Sequence, residues 1–169
     1  MDSIFRELFT EELSTGKIEN TPEYIHIELN STRETQECPV CGKLSVHKHC
    51  SYTRTAGDLP IMGKRVILTI HTYKFKCKNS ECSVKVFCQY FDKFLEKNQQ
   101  KTERLLKYLR DIAFINSGEC GARICRKNNM PVSGDTLIRI VKSWNPPEMK
   151  ATKIGVDDWA YKKNIHTGH

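Results

Sequence analysis

The chain has 169 residues, of which 38% are hydrophobic and 28% are charged, and its formal net charge is +7. This length suits one ordinary domain or two or three small ones. No apolar run approaches the roughly 20 residues that cross a membrane. Residues 1–37 are acidic, with a net charge of −6, whereas 38–88 carry +7 and 89–169 carry +6. This asymmetry favours a polyanionic partner, most simply nucleic acid, over a basic surface that only maintains solubility.

The acidic start predicts one helix and one strand. Apolar residues fall on one side of a short amphipathic helix over 2–13. The stretch 23–29 alternates between polar and apolar side chains and predicts a half-buried strand. We therefore expect an acidic N-terminal unit of one helix and one strand over 1–36.

Two short cysteine pairs follow, Cys38-Pro39-Val40-Cys41 and Cys77-Lys78-Asn79-Ser80-Glu81-Cys82. Each pair closes a tight knuckle that aims two thiolates at one point. Two knuckles supply the four sulfurs that a structural zinc ion takes in tetrahedral geometry. Disulfide-bonded cysteines are the weaker interpretation, since no secretory signal is evident and eight cysteines are few for a disulfide scaffold. We expect Cys38, Cys41, Cys77 and Cys82 to bind zinc.

Other metal-ligand residue types lie in the same region or beyond it. Cys50, Cys88, His47 and His49 stay open as additional ligands, although packing or solvent exposure is the commoner role for such residues. Cys120 and Cys125 are five residues apart on a predicted helix, which is a poor spacing for sharing one ion. We interpret this last pair as structural.

The region around the cysteines predicts β structure, with an extended segment over 46–55 and a turn over 57–60. The strongest strand covers 65–76, and a return strand covers 85–89. We expect a zinc-binding β module over 37–90. Because such a module has little apolar core, metal binding would supply much of its folding free energy.

The pleat of the strongest strand separates two kinds of side chain. Tyr73, Phe75 and Cys77 share one face. The lysines Lys74, Lys76 and Lys78 share the other. A strand of this kind could direct a thiolate inward and basic side chains toward nucleic acid.

From Thr102 onward the apolar period becomes helical. One helix is predicted to end near Ser117, a second covers 119–128, and Ser133 is a good N-cap for a third with Leu137 inward. Short helix, turn and helix fit a helix-turn-helix over 100–146. An ordinary three-helix bundle with a solvated polar face stays open on this pattern alone.

A helix-turn-helix would place the start of its third helix in the major groove of double-stranded DNA. Arg139 suits a guanine edge, and Ser133 and Thr136 could reach phosphates or bases. With the basic side chains of the β region, the candidate DNA-binding residues are Arg54, Lys64, Arg65, Lys74, Lys76, Ser133, Thr136, Arg139 and Lys142.

A short apolar stretch near the end runs into the paired carboxylates of Asp157 and Asp158. A carboxylate at the end of a central strand can hold a divalent metal for phosphoryl transfer. On spacing alone, a solvated strand end is the simpler interpretation.

Taken together, these residues resemble bacterial insertion-sequence transposases of the ISL-three type. The resemblance covers about residues 38–169. The matching motifs are Cys-Pro-Val-Cys-Gly at 38–42, Tyr-Thr-Arg-Thr at 52–55, Asp-Leu-Pro-Ile-Met-Gly at 58–63, Phe-Lys-Cys-Lys-Asn-Ser-Glu-Cys at 75–82, Val-Phe-Cys at 86–88, Ser-Gly-Glu-Cys-Gly-Ala-Arg at 117–123, Met-Pro-Val-Ser-Gly-Asp-Thr-Leu-Ile-Arg at 130–139 and Gly-Val-Asp-Asp-Trp-Ala-Tyr-Lys-Lys at 155–163.

The resemblance implies a zinc module, a helix-turn-helix and a ribonuclease-H-like catalytic domain with two aspartates and a glutamate. It implies zinc ligation by the four paired cysteines and a first catalytic aspartate at Asp157, with Asp158 as the second choice. The chain ends at His169, before positions for the second aspartate and the glutamate. The site that holds magnesium in a full-length relative would therefore be incomplete, and we expect this polypeptide to be inactive alone.

The expected fold is α+β: a small zinc-ribbon-like β module, a three-helix helix-turn-helix module, and over 150–169 the first strand of a truncated ribonuclease-H-like domain. The expected function is DNA binding at the terminal inverted repeats of an insertion sequence, in the bacterial cytoplasm at the nucleoid. A homodimer or an association with full-length transposase stays open. The alternatives are a stand-alone zinc-ribbon and helix-turn-helix regulator, and a zinc-dependent protein-interaction module.

Overall fold

The computed structural model describes residues 8–145, which form a mixed α+β structure and confirm the predicted class. Seven strands come first: β1 Leu13–Asn20, β2 Tyr24–Ser31, β3 Gln36–Glu37, β4 Leu44–Ser45, β5 Lys48–Ile61, β6 Lys64–Lys76 and β7 Val86–Cys88. Three helices follow: α1 Glu103–Ile115, α2 Gly118–Lys127 and α3 Gly134–Lys142.

Strand β6 is the centre of a five-stranded sheet. It pairs antiparallel with β5 along one edge, and on its other edge it pairs parallel with β2 and then antiparallel with β7. Strand β1 extends the sheet beyond β2, so the order is β1-β2-β6-β5. Strands β3 and β4 form a separate two-stranded hairpin.

Two different cores share strand β6. Val66, Leu68 and Ile70 are at most 1% exposed and lie in the main core of the sheet. Further along the strand the buried side chains shift from even-numbered to odd-numbered positions. Phe75 and Cys77 therefore lie in the core around the cysteines. An irregularity in the pairing with β5 accompanies this change, since the register shifts between Lys48 and Cys50. The switch lets one strand support both the sheet and the cysteine knuckles.

The main core lies on one face of the sheet. A segment following β7 covers it with the buried side chains of Phe91, Phe94 and Leu95. Burial of these large apolar groups is the main source of free energy for this part of the fold. The sheet side of the core consists of Leu13, Ile27, Leu29, Ala56, Val66, Leu68 and Ile70.

The predicted turn over 57–60 is wrong, because β5 continues through these residues to Ile61. The chain reverses at Met62 and Gly63, whose φ angles are 52° and 72°, as in the tight turns of β-hairpins. Gly57 makes a tertiary contact, since its N–H donates to the Gln100 carbonyl at 2.9 Å. Glycine is common in turns, but Gly57 lies within a strand and makes a tertiary contact.

The N-terminal region contributes two strands to the sheet. The helix predicted over 2–13 lies partly outside the described residues, and Leu13 already begins β1, which the sequence pattern did not predict. Strand β2 confirms the predicted strand over 23–29. Because β2 pairs directly with β6, strands from both 1–36 and 37–90 belong to one sheet. The division of the chain into these units stays a prediction.

The predicted N-cap at Ser133 is confirmed, and Thr102 and Ser117 cap the other two helices. The hydroxyls of Thr102, Ser117 and Ser133 each accept a hydrogen bond from the backbone N–H three residues later, which satisfies a donor at each helix start. The shared core consists of Leu105, Leu109, Ala122, Cys125, Met130 and Leu137. Between residues 8 and 145, every helix is too short or too polar to span a membrane.

An ion pair between a buried carboxylate and a partly exposed arginine joins the sheet to the helices. Asp58 on β5 is 4% exposed, and one of its carboxylate oxygens accepts hydrogen bonds from Thr102 Oγ1 at 2.6 Å and Arg104 Nε at 2.7 Å. The other oxygen pairs with Arg104 Nη2. The same guanidinium donates to the Leu8 carbonyl at 2.5 Å and stacks 5.6 Å from the Phe9 ring. This network satisfies a charge that burial alone would disfavour.

Arg104→Ala should lower the free energy of unfolding by about 3 kcal/mol, because it leaves the buried Asp58 carboxylate without its charge partner. Urea unfolding of the zinc-loaded protein measures this change. The control is Glu34→Ala, which removes an exposed pair with Lys48 and should cost less than about 1 kcal/mol. Equal effects of the two substitutions would contradict the structural role of the Asp58 network.

Candidate metal centre and charged surfaces

The first cysteine knuckle is a tight turn between β3 and β4. The Cys38 N–H donates to the Lys43 carbonyl at 3.0 Å, and the Gly42 N–H donates to the Cys38 carbonyl at 2.9 Å. Gly42 has a φ of 69°, a left-handed conformation that glycine adopts without steric cost. The turn therefore orients Cys38 and Cys41 toward the same point.

The second knuckle follows directly from β6, whose last residue precedes Cys77. The Cys77 N–H donates to the Lys85 carbonyl at 2.9 Å, and the Cys82 N–H donates to the Asn79 carbonyl at 3.2 Å. Strand β7 then returns along β6. The sheet itself thus determines where the second pair of sulfurs lies.

Ser45 attaches the first knuckle to the end of β6. Its hydroxyl donates to the Lys76 carbonyl at 2.7 Å, and the residue is only 4% exposed. Nearby, the Lys76 N–H donates to the His47 carbonyl at 2.9 Å. Sequence reasoning missed this serine, since an isolated hydroxyl carries no local signal of its role.

The four thiols form one cluster. The Sγ atoms of Cys38 and Cys82 are 3.8 Å apart, those of Cys41 and Cys77 are 3.7 Å apart, and all four lie within 4.8 Å of one another. Sulfurs at about 2.3 Å from a tetrahedral zinc ion are separated by about 3.8 Å. The arrangement therefore fits zinc, and four protein sulfurs complete the coordination of a structural site.

The acidities of the clustered thiols differ. A hydrogen bond from the Lys43 backbone N–H lowers the pKa of Cys41 to about 6. The Asn79 backbone N–H favours the Cys77 thiolate, but burial and the neighbouring thiols outweigh it and raise the pKa of Cys77 to about 11. Without a cation, mutual repulsion opposes ionisation of all the thiols together. A bound metal ion removes this obstacle.

The core beneath the sulfurs is small. It contains two buried aromatic rings, Phe75 and Phe87, which stack with centroids 6.2 Å apart, and the buried cysteines themselves. Such a core supplies little apolar burial compared with the main core of the sheet. The knuckles therefore depend on the metal more than the sheet does.

The remaining candidate ligands lie apart from the cluster. Cys50, His47 and His49 are exposed, and Cys88 is half-buried on β7. Within residues 8–145, no second group of three or more His, Cys, Asp or Glu side chains is arranged to hold a metal. Elsewhere, Cys125 is buried in the helical core and Cys120 is half-buried on α2.

The basic candidates on the sheet do not form one patch. Arg65 lies at one end of β6, and Lys74 and Lys76 lie at the other, about 30 Å away at the rise of a β-strand. Lys64 donates to the Asn20 side chain at 2.7 Å, and Lys74 lies 5.6 Å from the Tyr52 ring. Any extended ligand would have to follow the length of the sheet to reach both ends.

Arg54 differs from these residues because its guanidinium is already engaged. Its Nη2 donates to the carbonyls of Glu96 at 2.7 Å and Gln99 at 3.0 Å. Its role as a DNA contact stays a prediction, and in the structure this side chain holds the loop that follows the sheet. The sequence alone does not show that a basic side chain donates hydrogen bonds to backbone carbonyls in a distant loop.

The candidates on α3 lie close together. The Ser133 hydroxyl caps the helix and lies 3.0 Å from Thr136 Oγ1, and Arg139 Nη2 donates to the same Thr136 oxygen at 3.2 Å. Lys142 is exposed near the end of the helix. Asp157, the candidate catalytic residue, lies outside the described residues.

Cys77→Ser should abolish binding of the single zinc ion and expose both knuckles, because it removes one of four ligands. Zinc analysis of the purified protein and hydrogen exchange measure the two effects. Exchange should rise in 36–45 and 77–88, while Val66, Leu68 and Ile70 stay protected by the main core. Cys50→Ser is the matched control and should retain zinc. A wild-type protein that is metal-free with ordered knuckles would refute the assignment.

Comparison with known families agrees with this geometry. Residues 34–82 match the family model described as the zinc-finger of transposase IS204/IS1001/IS1096/IS1165. The matched segment contains all four clustered cysteines. No curated protein and no solved structure matches the chain significantly. The match and the sulfur geometry together show that the cofactor is structural zinc, as predicted, and they support a resemblance to the zinc-binding N-terminal part of such transposases.

Proposed function

We propose that the described part of this chain binds double-stranded DNA as the N-terminal portion of an insertion-sequence transposase, and that it recognises the terminal inverted repeats of the element. The observation that carries this proposal is the transposase zinc-finger match over 34–82. It coincides with a four-sulfur site in the most basic part of the sequence.

The charge of the zinc-binding region supports a polyanionic ligand. Lys76 and Lys78 beside the knuckles are exposed. Among residues 8–145, the ion pairs are Arg33–Glu12, Lys48–Glu34 and Arg104–Asp58, so neither of these lysines is neutralised by a carboxylate side chain. Phosphates of a duplex would release counterions from such cations and gain affinity at low salt.

The arrangement of α2 and α3 supports a sequence-reading role. The helices pack closely because glycines lie at their contact: a Cβ on Gly134 would lie 3.0 Å from the Gly118 carbonyl carbon. We propose α3 as the recognition helix of a helix-turn-helix. Its polar side presents Thr136, Arg139 and Lys142, and Arg139 has the fork geometry that pairs with guanine.

Zinc has a structural role in this proposal. Four cysteine ligands leave no coordination position open for water or substrate, which distinguishes the site from a catalytic zinc. The metal instead holds the knuckles against the end of β6, where the exposed lysines lie. DNA affinity should therefore depend on zinc through the placement of these lysines.

Arg139→Ala should weaken binding to a DNA sequence selected from a random pool by about 1–3 kcal/mol, with little effect on random DNA, because a guanine contact acts on the preferred sequence. Fluorescence anisotropy with both duplexes measures this difference. Equal weakening on selected and random DNA would show that Arg139 does not read bases.

The double substitution Lys64→Ala with Arg65→Ala tests the phosphate contribution. It should weaken binding to every sequence and flatten the dependence of affinity on salt, because fewer counterions are released.

Selected sequences that resemble no element end would favour a stand-alone regulator. A wild-type protein without salt-dependent DNA binding would favour a protein-interaction module.

A further inference from the structure

The stretch 96–101, just before α1, is entirely polar. Residues 96–101 read Glu-Lys-Asn-Gln-Gln-Lys, and the side chains of Lys97, Asn98, Gln99 and Gln100 are exposed. The predicted β module over 37–90 and the predicted helix-turn-helix over 100–146 leave 96–99 in the gap between them. The side chains of this stretch are polar, and hydrogen bonds of its backbone to β5 hold its conformation.

These hydrogen bonds fix the backbone of the loop. Arg54 donates to the carbonyls of Glu96 and Gln99, and Gly57 donates to the Gln100 carbonyl at 2.9 Å. Asn98 has a φ of 63°, a left-handed conformation that asparagine tolerates better than most residues. The backbone is therefore bound to β5 while the amide side chains point away from these contacts into solvent. Such an ordered loop loses little further entropy when it binds a ligand.

Two surface depressions meet at this loop. One, of about 310 Å³, is bordered by Tyr52 and Cys88 from the sheet. The other, of about 500 Å³, is bordered by Arg110, Thr136 and Arg139 from the helices. Both are lined by the same three amides, Asn98, Gln99 and Gln100. The loop is thus the wall that the two depressions share, and together they extend from the edge of β5 to α3; we call this surface the groove.

The groove is strongly basic. Its charged lining consists of five cations and one carboxylate, which are Arg54, Lys97, Lys101, Arg110, Arg139 and Glu103. In the part of the chain that the structure describes, none of these cations pairs with a carboxylate side chain. Arg110 instead stacks 5.3 Å from the Trp144 ring. A polyanion is the ligand that this charge distribution favours.

We infer that the loop 97–101 is a third DNA-contacting element, which bridges the sheet and α3 along one duplex. This inference rests on the proposed DNA binding. Lys97 and Lys101 contact phosphates, and the amides of Asn98, Gln99 and Gln100 contact base edges, since amides both donate and accept hydrogen bonds and pair with adenine in two places. Arg54 is a positioning residue that orders the loop.

The amide contacts are tested with the double substitution Asn98→Ala and Gln99→Ala in the full chain. Affinity for DNA selected by the wild-type protein should fall about tenfold to a hundredfold, with little change on random DNA. Asn30→Ala, an exposed amide on β2 outside the groove, is the matched control and should bind like wild type. Lys97→Ala should weaken binding to both DNAs, whereas Lys17→Ala on β1 should not.

The positioning role of Arg54 has a readout that needs no DNA. Arg54→Ala should speed hydrogen exchange in 96–100 of the free, zinc-loaded protein and lower its affinity for the selected sequence. If exchange in the loop is unchanged, Arg54 does not order it, and that part of the inference fails.

The outcomes separate this inference from the proposed function. If wild type selects and binds DNA but the double amide variant binds like wild type, the loop is not a contacting element and DNA binding stands. If wild type binds no DNA at any salt concentration, both proposals fail. Loss on random and selected DNA alike would overturn base reading by the amides.

Discussion

One long antiparallel ladder supports the rest of this structure: the pairing of β5 with β6 from Lys48 opposite Phe75 to Ile61 opposite Lys64, with a register shift near each end. At one end, β6 passes directly into the second cysteine knuckle. At the other end, β5 carries Asp58, whose buried carboxylate binds the start of α1. The distance between the zinc cluster and the helices therefore follows from the length of two hydrogen-bonded strands, which bend less than a peptide linker would.

The two ends of the ladder are stabilised by different chemistry. Around the cysteines, two stacked phenylalanines give too little apolar burial, so metal ligation supplies the missing free energy. At the helical end, an apolar core forms and a single ion pair satisfies the buried charge of Asp58. Between them, the main core of the sheet needs neither metal nor ion pair. Loss of zinc and loss of the ion pair should thus affect separate parts of the molecule.

The proposed DNA surface joins regions that are distant in sequence. The lysines near the knuckles lie at the end of β6, and the loop 97–101 is bonded to β5. Helix α3 packs on α1, which in turn contacts β5. Arg54 connects two of these regions, because it lies on β5 and donates hydrogen bonds to the loop that borders α3. If a duplex contacts all three elements, its recognition requires the complete folded chain, because no single module carries all the contacting residues.

Local patterns in the chain were enough to predict the metal site, the Ser133 cap of the third helix and the central strand, because each depends on near neighbours: paired thiols, a hydroxyl before an apolar helical period, and alternation over 65–76. Other features depend on contacts between residues that are far apart in the chain. Residues 57–60 are strand because Gly57 and Asp58 meet partners from 100–104, and the ion pair of Asp58 with Arg104 joins residues 46 positions apart. Arg54 holds a loop through similarly distant partners, the backbone carbonyls of Glu96 and Gln99. Such long-range partners leave no periodic pattern, since they arise only when the chain has folded.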